Sequence, residues 1–206
     1  MINKIPNNKQ QLFDLWASYY DILFPSVFYQ AIHKRLLEYV NLPREANVLD
    51  IGCGTGRLLD RLASEEPTLQ ATGLDFSGEM IRQARAHNRH RPRIIFIEGN
   101  ATALPFAENQ FDAVFNTLSF LHYDSPEQVF QQVSRVLRPG GRFYLVDITT
   151  RRQYESFSAY IGVSPGGVRF YSRAARDRLG KQVRLNCLGH HHLLGPVLLT
   201  VFAKSF

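Results

Sequence analysis

The sequence predicts an α/β protein: a mostly parallel, seven-stranded sheet with helices on both faces, an N-terminal helical cap and a C-terminal antiparallel hairpin. Three observations predict it. Short apolar runs alternate with helical stretches from Asn47 to Ile148, and parallel neighbours need such crossover connections. A run of buried-strand character, Val48-Leu-Asp-Ile, passes directly into a glycine-rich turn and then a helix. The last two apolar runs, Gln182 to Leu188 and Val197 to Lys204, stand so close together that they pair as a hairpin on one sheet edge.

Residues 1–44 are expected to form the cap. From Gln11 to about Asn41 the pattern is helical, broken near Pro25, and its aromatics (Phe13, Trp16, Tyr19, Tyr20, Phe24, Phe28, Tyr29) exceed what one amphipathic face needs. Residues 45–206 form the core. Its strands are expected at Asn47 to Ile51, Leu69 to Asp75, Arg93 to Glu98, Phe111 to Asn116 and Arg142 to Ile148. The helices between them fall near Thr55 to Ser64, Ser77 to Asn88 and Pro126 to Leu137. Leu137-Arg-Pro-Gly-Gly stops the last of these, because Pro139 cannot continue a helix and Gly140 and Gly141 can take positive φ. Gly189, Gly195 and Pro196 mark the hairpin connection. Segment 151–171 sets Tyr154, Phe157, Tyr160, Phe170 and Tyr171 among Gly162, Pro165, Gly166 and Gly167. That composition suits a short lid over a flat or apolar ligand, and an ordinary small core almost as well.

The 206 residues, 45% hydrophobic and 20% charged, describe a compact domain. No stretch reaches the length of a membrane span and the first residues lack a signal-peptide core, so a cytoplasmic location is expected and membrane insertion is not. Cys53 and Cys187 lie far apart and outside any paired ligand spacing, which signals neither a disulfide framework nor a zinc motif. No metal is expected at His190-His191-His192 either. Neighbours in an extended segment point to opposite sides, so at most His190 and His192 converge, and no carboxylate lies close in sequence. The net charge of +6 admits an anionic partner such as RNA. Much of that excess falls between Arg82 and Arg93, where Arg82, Arg85 and Arg89 share the spacing of one helical face, the pattern of a solvated surface. Nucleic acid is therefore not the expected partner, and the oligomeric state stays open.

The segment Val48-Leu-Asp-Ile-Gly-Cys-Gly-Thr-Gly is built as a ligand cradle. Gly52, Gly54 and Gly56 take conformations closed to other residues and let a ligand approach the backbone. Amides at the following helix start favour a negative group, while Asp50 offers an anion to a cationic one. One strand-helix unit later, Gly73-Leu-Asp-Phe-Ser puts Asp75 at a strand end, where a carboxylate accepts hydrogen bonds from both ribose hydroxyls. A nicotinamide dinucleotide would use the same features, but its G-x-G-x-x-G spacing fails because Arg57 stands where the third glycine belongs.

Four ordered stretches resemble the class I S-adenosylmethionine-dependent methyltransferases, in the small-molecule branch that includes quinone-biosynthesis C-methyltransferases. They are Asp50-Ile-Gly-Cys-Gly-Thr-Gly; Asp75 followed by Phe76, Ser77 and Met80; Gly99-Asn-Ala-Thr-Ala-Leu-Pro-Phe leading into Phe111-Asp112; and Leu137-Arg-Pro-Gly-Gly-Arg. The resemblance covers roughly Asn47 to Asp147 and implies a Rossmann-like fold, S-adenosyl-L-methionine as cofactor, and direct displacement of its methyl group onto a small aromatic or apolar acceptor. It implies a cofactor site made from Tyr20, Asp50, Gly52, Cys53, Gly54, Gly56, Asp75, Phe76, Met80, Asn100, Ala101 and Asn116. Within it the Asn100 side chain would meet the adenine amine and the Ala101 amide the ring; the family more usually carries an aspartate at the first position. A turn asparagine without a ligand is the other reading of Asn100. Tyr20-Asp21 matches a pair in a helix covering the cofactor, or is helix packing alone. Asn116-Thr-Leu-Ser-Phe-Leu-His-Tyr follows the fourth strand, where such folds place ligands, and makes His122 the candidate base, unless its ring only bonds the backbone. Two competing functions remain: an RNA-modifying methyltransferase, against which Asn116-Thr-Leu-Ser lacks the Pro-Pro-aromatic signature of base-amino methyltransferases, and a non-catalytic methyltransferase-like binding protein, against which the cofactor motif is nearly intact.

Overall fold

A computed structural model describes residues 23–150, 156–159 and 168–206. In chain order it contains α1 (Leu23–Leu37), β1 (Asn47–Ile51), α2 (Arg57–Glu65), β2 (Gln70–Asp75), α3 (Gly78–His87), β3 (Ile94–Glu98) and β4 (Phe111–Thr117). A 3-10 turn at Phe120–His122 follows, then α4 (Pro126–Val136), β5 (Leu137–Ile148), β6 (Ser156–Ala159), β7 (Val168–Tyr171), α5 (Arg173–Gln182), β8 (Leu185–Leu194) and β9 (Val197–Lys204).

Seven strands form one sheet in the order β3-β2-β1-β4-β5-β9-β8. The first five run parallel, and β9 pairs antiparallel with both β5 and β8, so the expected architecture of parallel core and terminal hairpin is present. Successive residues of the central strands bury into two different clusters. Val48, Phe115 and Tyr144 join α1 and α2 residues such as Ile32, Leu36 and Leu59 on one face. Leu49, Val114 and Phe143 join Val129, Phe130 and Leu179 from α4 and α5 on the other. Side-chain alternation along a strand puts apolar groups on both faces, and helices cover both. The order of strands reverses at β1, whose neighbours β2 and β4 lead to opposite edges. A crevice at the carboxyl ends of β1 and β4 follows from that reversal, and the ligand-bearing loops gather there.

The structure differs from the sequence reading at several boundaries. Strand β5 starts at Leu137 instead of Arg142: helix α4 does stop before Pro139, but Leu137 already pairs with Phe111, and the register shifts before Ala113 meets Arg142. Helix α5 is an element the sequence reading does not contain. Its buried positions are Ala175, Arg176, Leu179 and Gly180, so the inward face carries an arginine and a glycine and shows no apolar period. Strand β8 runs to Leu194, so Gly189 and the three histidines lie inside it and only Gly195 and Pro196 form the connection. Pro25 sits in the first turn of α1, which needs no amide from that position; the chain before Leu23, where the expected break near Pro25 would show, lies outside the described residues. Helix α3 ends at His87, which leaves Arg89 off its face; the Asn88 side chain accepts from the His90 amide and donates to the Ile94 carbonyl, turning the chain. Strands β6 and β7 pair as an antiparallel ribbon within the expected lid segment, whose other parts at 151–155 and 160–167 lie outside the described residues, as do Tyr20 and Asp21.

Candidate active site

A cleft opens at the carboxyl ends of β1, β2 and β4. Seven of the residues singled out from sequence line it: Gly52, Gly54, Asp75, Phe76, Met80, Ala101 and His122. The turn after β1 makes its floor. Gly52 (φ +72) approaches the β4 loop so closely that a Cβ there would lie 2.3 Å from Ser119 Oγ. Gly54 (φ +52) has nothing within 4 Å of that position, so its bare backbone faces open space.

The amides of this turn are used inside the protein. Those of Gly52 and Cys53 donate to the Leu74 carbonyl, and that of Gly56 donates to the Cys53 carbonyl. The Gly54 amide donates to Asp75 Oδ2 at 2.8 Å, and the Ser77 amide donates to Asp75 Oδ1 at 2.9 Å. Two backbone bonds therefore aim the carboxylate. Gly56 turns away from the cleft; a Cβ there would strike the Phe96 ring at 2.5 Å, so that glycine serves helix–sheet packing. Cys53 is buried behind the turn, and burial followed by the charges of Asp75 and Asp50 pushes its thiol pKa well up.

Asp50 lies beneath the floor, 2% exposed. Burial, and then the neighbouring Asp75 charge, raise its carboxyl well above the usual range. Its Oδ1 has no hydrogen-bond partner among the described residues. A buried carboxylate with an orphaned oxygen beside a second carboxylate is a poor arrangement for a protein alone and a good one for a cationic ligand. A nucleoside fits the cleft lining, with Asp75 suited to a ribose, Gly54 to close backbone approach, and Met80 and Ala101 to a flat base; Asp50 is not part of that lining and stands beneath it as a second acidic group.

Asn100 and Asn116 do not reach the cleft lining. Asn100 is exposed, and its Oδ1 accepts from both the amide and the hydroxyl of Thr102 at 2.9 Å, the geometry of a turn asparagine. Asn116 is fully buried, with Nδ2 near the Ile51 carbonyl, Ser119 Oγ and Tyr123 Oη at 2.7–2.9 Å. It positions Ser119 and Tyr123, which do line the cleft. Burial drives the Tyr123 phenol up from its ordinary pKa, so it acts as a neutral hydrogen-bonding group. Leu118 takes φ +55, rare for a branched residue, to turn the chain out of β4 into the cleft wall. The sequence reading placed this whole stretch beside the ligand without singling out Leu118, Ser119 or Tyr123. Tyr29 of α1 adds an aromatic from the cap.

Beneath the wall, Asp147 accepts from the amides of Leu121 and Ile148. Burial lifts its pKa to about 6, against the opposing pull of Arg176. Arg176 is itself buried and donates to the carbonyls of Leu198 and Asp147 and to Thr200 Oγ1. This pair fixes the start of the His122 turn.

The arginines of 82–93 are largely engaged within the molecule: Arg82 with Glu79, Arg89 with Asp60, Arg85 with the Phe96 carbonyl and Arg93 with the carbonyls of Leu69 and Ala63. No helix of the described residues is long and apolar enough to cross a membrane.

The fold is that of the Rossmann-like methyltransferases that use S-adenosyl-L-methionine. The chain belongs to the S-adenosylmethionine-dependent methyltransferase family: the methyltransferase domain matches residues 49–145, and a relative matches nearly end to end. That relative, the 2-phytyl-1,4-naphtoquinone methyltransferase of Thermosynechococcus vestitus, is 31% identical over 96% of this chain and 99% of its own length. The malonyl-[acyl-carrier protein] O-methyltransferase of Hahella chejuensis is 35% identical over 62% of this chain, which spans about half (46%) of that relative. The fold is shared with a Haloferax volcanii methyltransferase solved with the Trm112 methyltransferase activator, at TM-score 0.79 and 20% identity, covering 94% of this chain and 98% of that one.

Proposed function

We propose that this chain is a cytoplasmic enzyme that moves the methyl group of S-adenosyl-L-methionine to a small aromatic or apolar acceptor, of the class represented by hydroquinone rings. The observation that carries this reading is the cleft lining, which combines groups suited to the cofactor, Asp75 and the Gly54 backbone, with the aromatic and apolar side chains of Tyr29, Leu118 and Tyr123 and with His122. A quinone methyltransferase among the relatives supports the acceptor class.

When bound, the cofactor supplies a methyl carbon on a positively charged sulfur, a centre already open to attack. The chain's own residues bind, orient and exclude water. Asp75 and Asp50 hold the polar ends, Leu118 and Tyr29 make the acceptor side apolar, and Tyr123 fixes the wall through Asn116. His122 takes the proton that a phenol or activated ring carbon must lose as it is methylated. The cap of residues 1–44 and the lid of 151–171 belong to the same reading as covers of the acceptor side.

Calorimetry with S-adenosyl-L-methionine and its demethylated product tests the cofactor half, and transfer of labelled methyl into demethylated naphthoquinols tests the acceptor half. Binding of neither nucleoside would overturn the first; label accepted only by RNA would overturn the second.

A further inference from the structure

We propose that Asp177, Cys187 and His190 form a zinc-class metal site that ties helix α5 to the edge strand β8. The three residues come from two elements and each offers one ligand atom, all within 4.8 Å of one another. His190 Nε2 lies 3.0 Å from Asp177 Oδ1 and 3.6 Å from Cys187 Sγ. A tetrahedral zinc, with bonds of about 2.0 Å to nitrogen and oxygen and about 2.3 Å to sulfur, separates nitrogen from oxygen by about 3.3 Å and nitrogen from sulfur by about 3.5 Å. The observed spacings sit within a few tenths of an ångström of that geometry.

The backbone makes this arrangement by a bulge. Cys187 pairs with Phe202 and His190 with Thr200, so Leu188 is an extra residue between them. Without it, residues three apart in a strand point to opposite faces; with it, Cys187 and His190 share the face that α5 covers. The carboxylate missing from the local sequence arrives from α5 as Asp177.

The outer partner of the imidazole is also in place. His190 Nδ1 lies 3.0 Å from Thr200 Oγ1, and Arg176 Nη1 donates to the same hydroxyl. A hydroxyl both donates and accepts, so His190 can keep its proton on Nδ1, bonded to Thr200, and turn the Nε2 lone pair to the metal. Cys187 binds as thiolate, its proton passing to solvent, and Asp177 binds as carboxylate. Sulfur, nitrogen and oxygen in one set favour zinc or cobalt(II) over magnesium or calcium, and the exposure of Cys187 leaves the fourth position to water. His191 stands apart, tilted against Tyr39 with ring centroids 4.3 Å apart.

The experiment uses the full chain without an affinity tag and titrates it with cobalt(II), then zinc. One equivalent of cobalt is expected to bind with a thiolate-to-metal absorption band, and zinc is expected to displace it and raise the melting temperature. Cys187→Ser should abolish the band, His190→Ala should weaken binding at least tenfold, and His192→Ala should leave both unchanged. Zinc should also slow alkylation of Cys187 in the unaltered chain, a readout that needs no variant to fold. No stoichiometric binding, a cobalt spectrum without the thiolate band, or equal loss from His192→Ala and His190→Ala would each overturn the proposal. Cofactor binding by calorimetry on the same samples keeps this outcome separate from that of methyl transfer.

Discussion

Gly54 and Gly52 both take positive φ, yet alanine at the two positions should do different things. At Gly54 a methyl group meets no atom within 4 Å, so the cost to folding is the left-handed backbone alone, about 1–2 kcal/mol. For a chain of this length that lowers the melting temperature by roughly 2–8 °C. The same methyl group projects into the open cleft, so cofactor affinity should fall at least tenfold, about 1.4 kcal/mol or more. At Gly52 the backbone cost is joined by overlap with Ser119, whose Oγ and Cβ lie 2.3 and 2.6 Å from the new carbon. Overpacking adds about 1–3 kcal/mol, for a stability loss of about 2–5 kcal/mol. Thermal melts of both variants, with calorimetric titration of the demethylated cofactor product, separate the effects. Gly54→Ala binding with unaltered affinity, or melting as low as Gly52→Ala, would refute the assignment of Gly54 to the ligand floor.

His122→Asn is expected to lower turnover by roughly 10²–10⁴-fold on an acceptor that must lose a proton, with cofactor affinity unchanged; equal turnover would remove His122 from the chemistry. Arg176→Met removes the buried donor from the Leu198 and Asp147 carbonyls and from Thr200 Oγ1 and should cost about 1–3 kcal/mol in urea unfolding; no loss of stability would contradict that role. The Asp147 carboxyl titrates near 6 in the fold against 3.8 unfolded, so the folded state holds more protons between those values and this group's contribution weakens as pH rises through them. Relative to Asp147→Asn, the unaltered chain should lose about 2 kcal/mol from pH 4 to pH 7; a constant difference across that range would show no such shift.

The parts of the fold legible in sequence are those where pattern and geometry coincide. Strand β1 and its turn were readable because four buried residues lead into glycines at fixed spacing, and β9 because six of its eight residues are apolar. Helix α5 was not readable, since an arginine that bonds three backbone and side-chain oxygens replaces the apolar residue its inner face would otherwise show. The site divides in the same way. Glycines and Asp75 act through backbone conformation and position at a strand end, which sequence spacing encodes. Ser119 and Tyr123 act through contacts with Asn116, brought about by the turn at Leu118, and no spacing rule announces a positive φ at leucine. The bulge at Leu188 is equally silent, although it decides which face Cys187 and His190 occupy.

Asp50 supplies a last prediction, because its orphaned oxygen makes the ligand-free site electrically incomplete. Burial and the charge of Asp75 favour its protonated form, whereas an ammonium placed against Oδ1 would favour the carboxylate. If the cofactor's ammonium takes that place, binding must expel a proton from Asp50 over the pH range between the two states' pKa values. Affinity then rises with pH until the ligand-free carboxyl is ionised, the opposite of the trend for a site that takes up a proton. Calorimetry over a series of pH values below the usual range of about 7.7–8.0 for an α-amino group isolates Asp50 from titration of the ligand itself. The measured heat should depend on the ionisation enthalpy of the buffer, and the dependence should vanish with Asp50→Asn or with a cofactor analogue lacking the amino group. Heat independent of buffer in the unaltered protein would place the ammonium elsewhere and leave Asp50 as a buried acid that stiffens the turn.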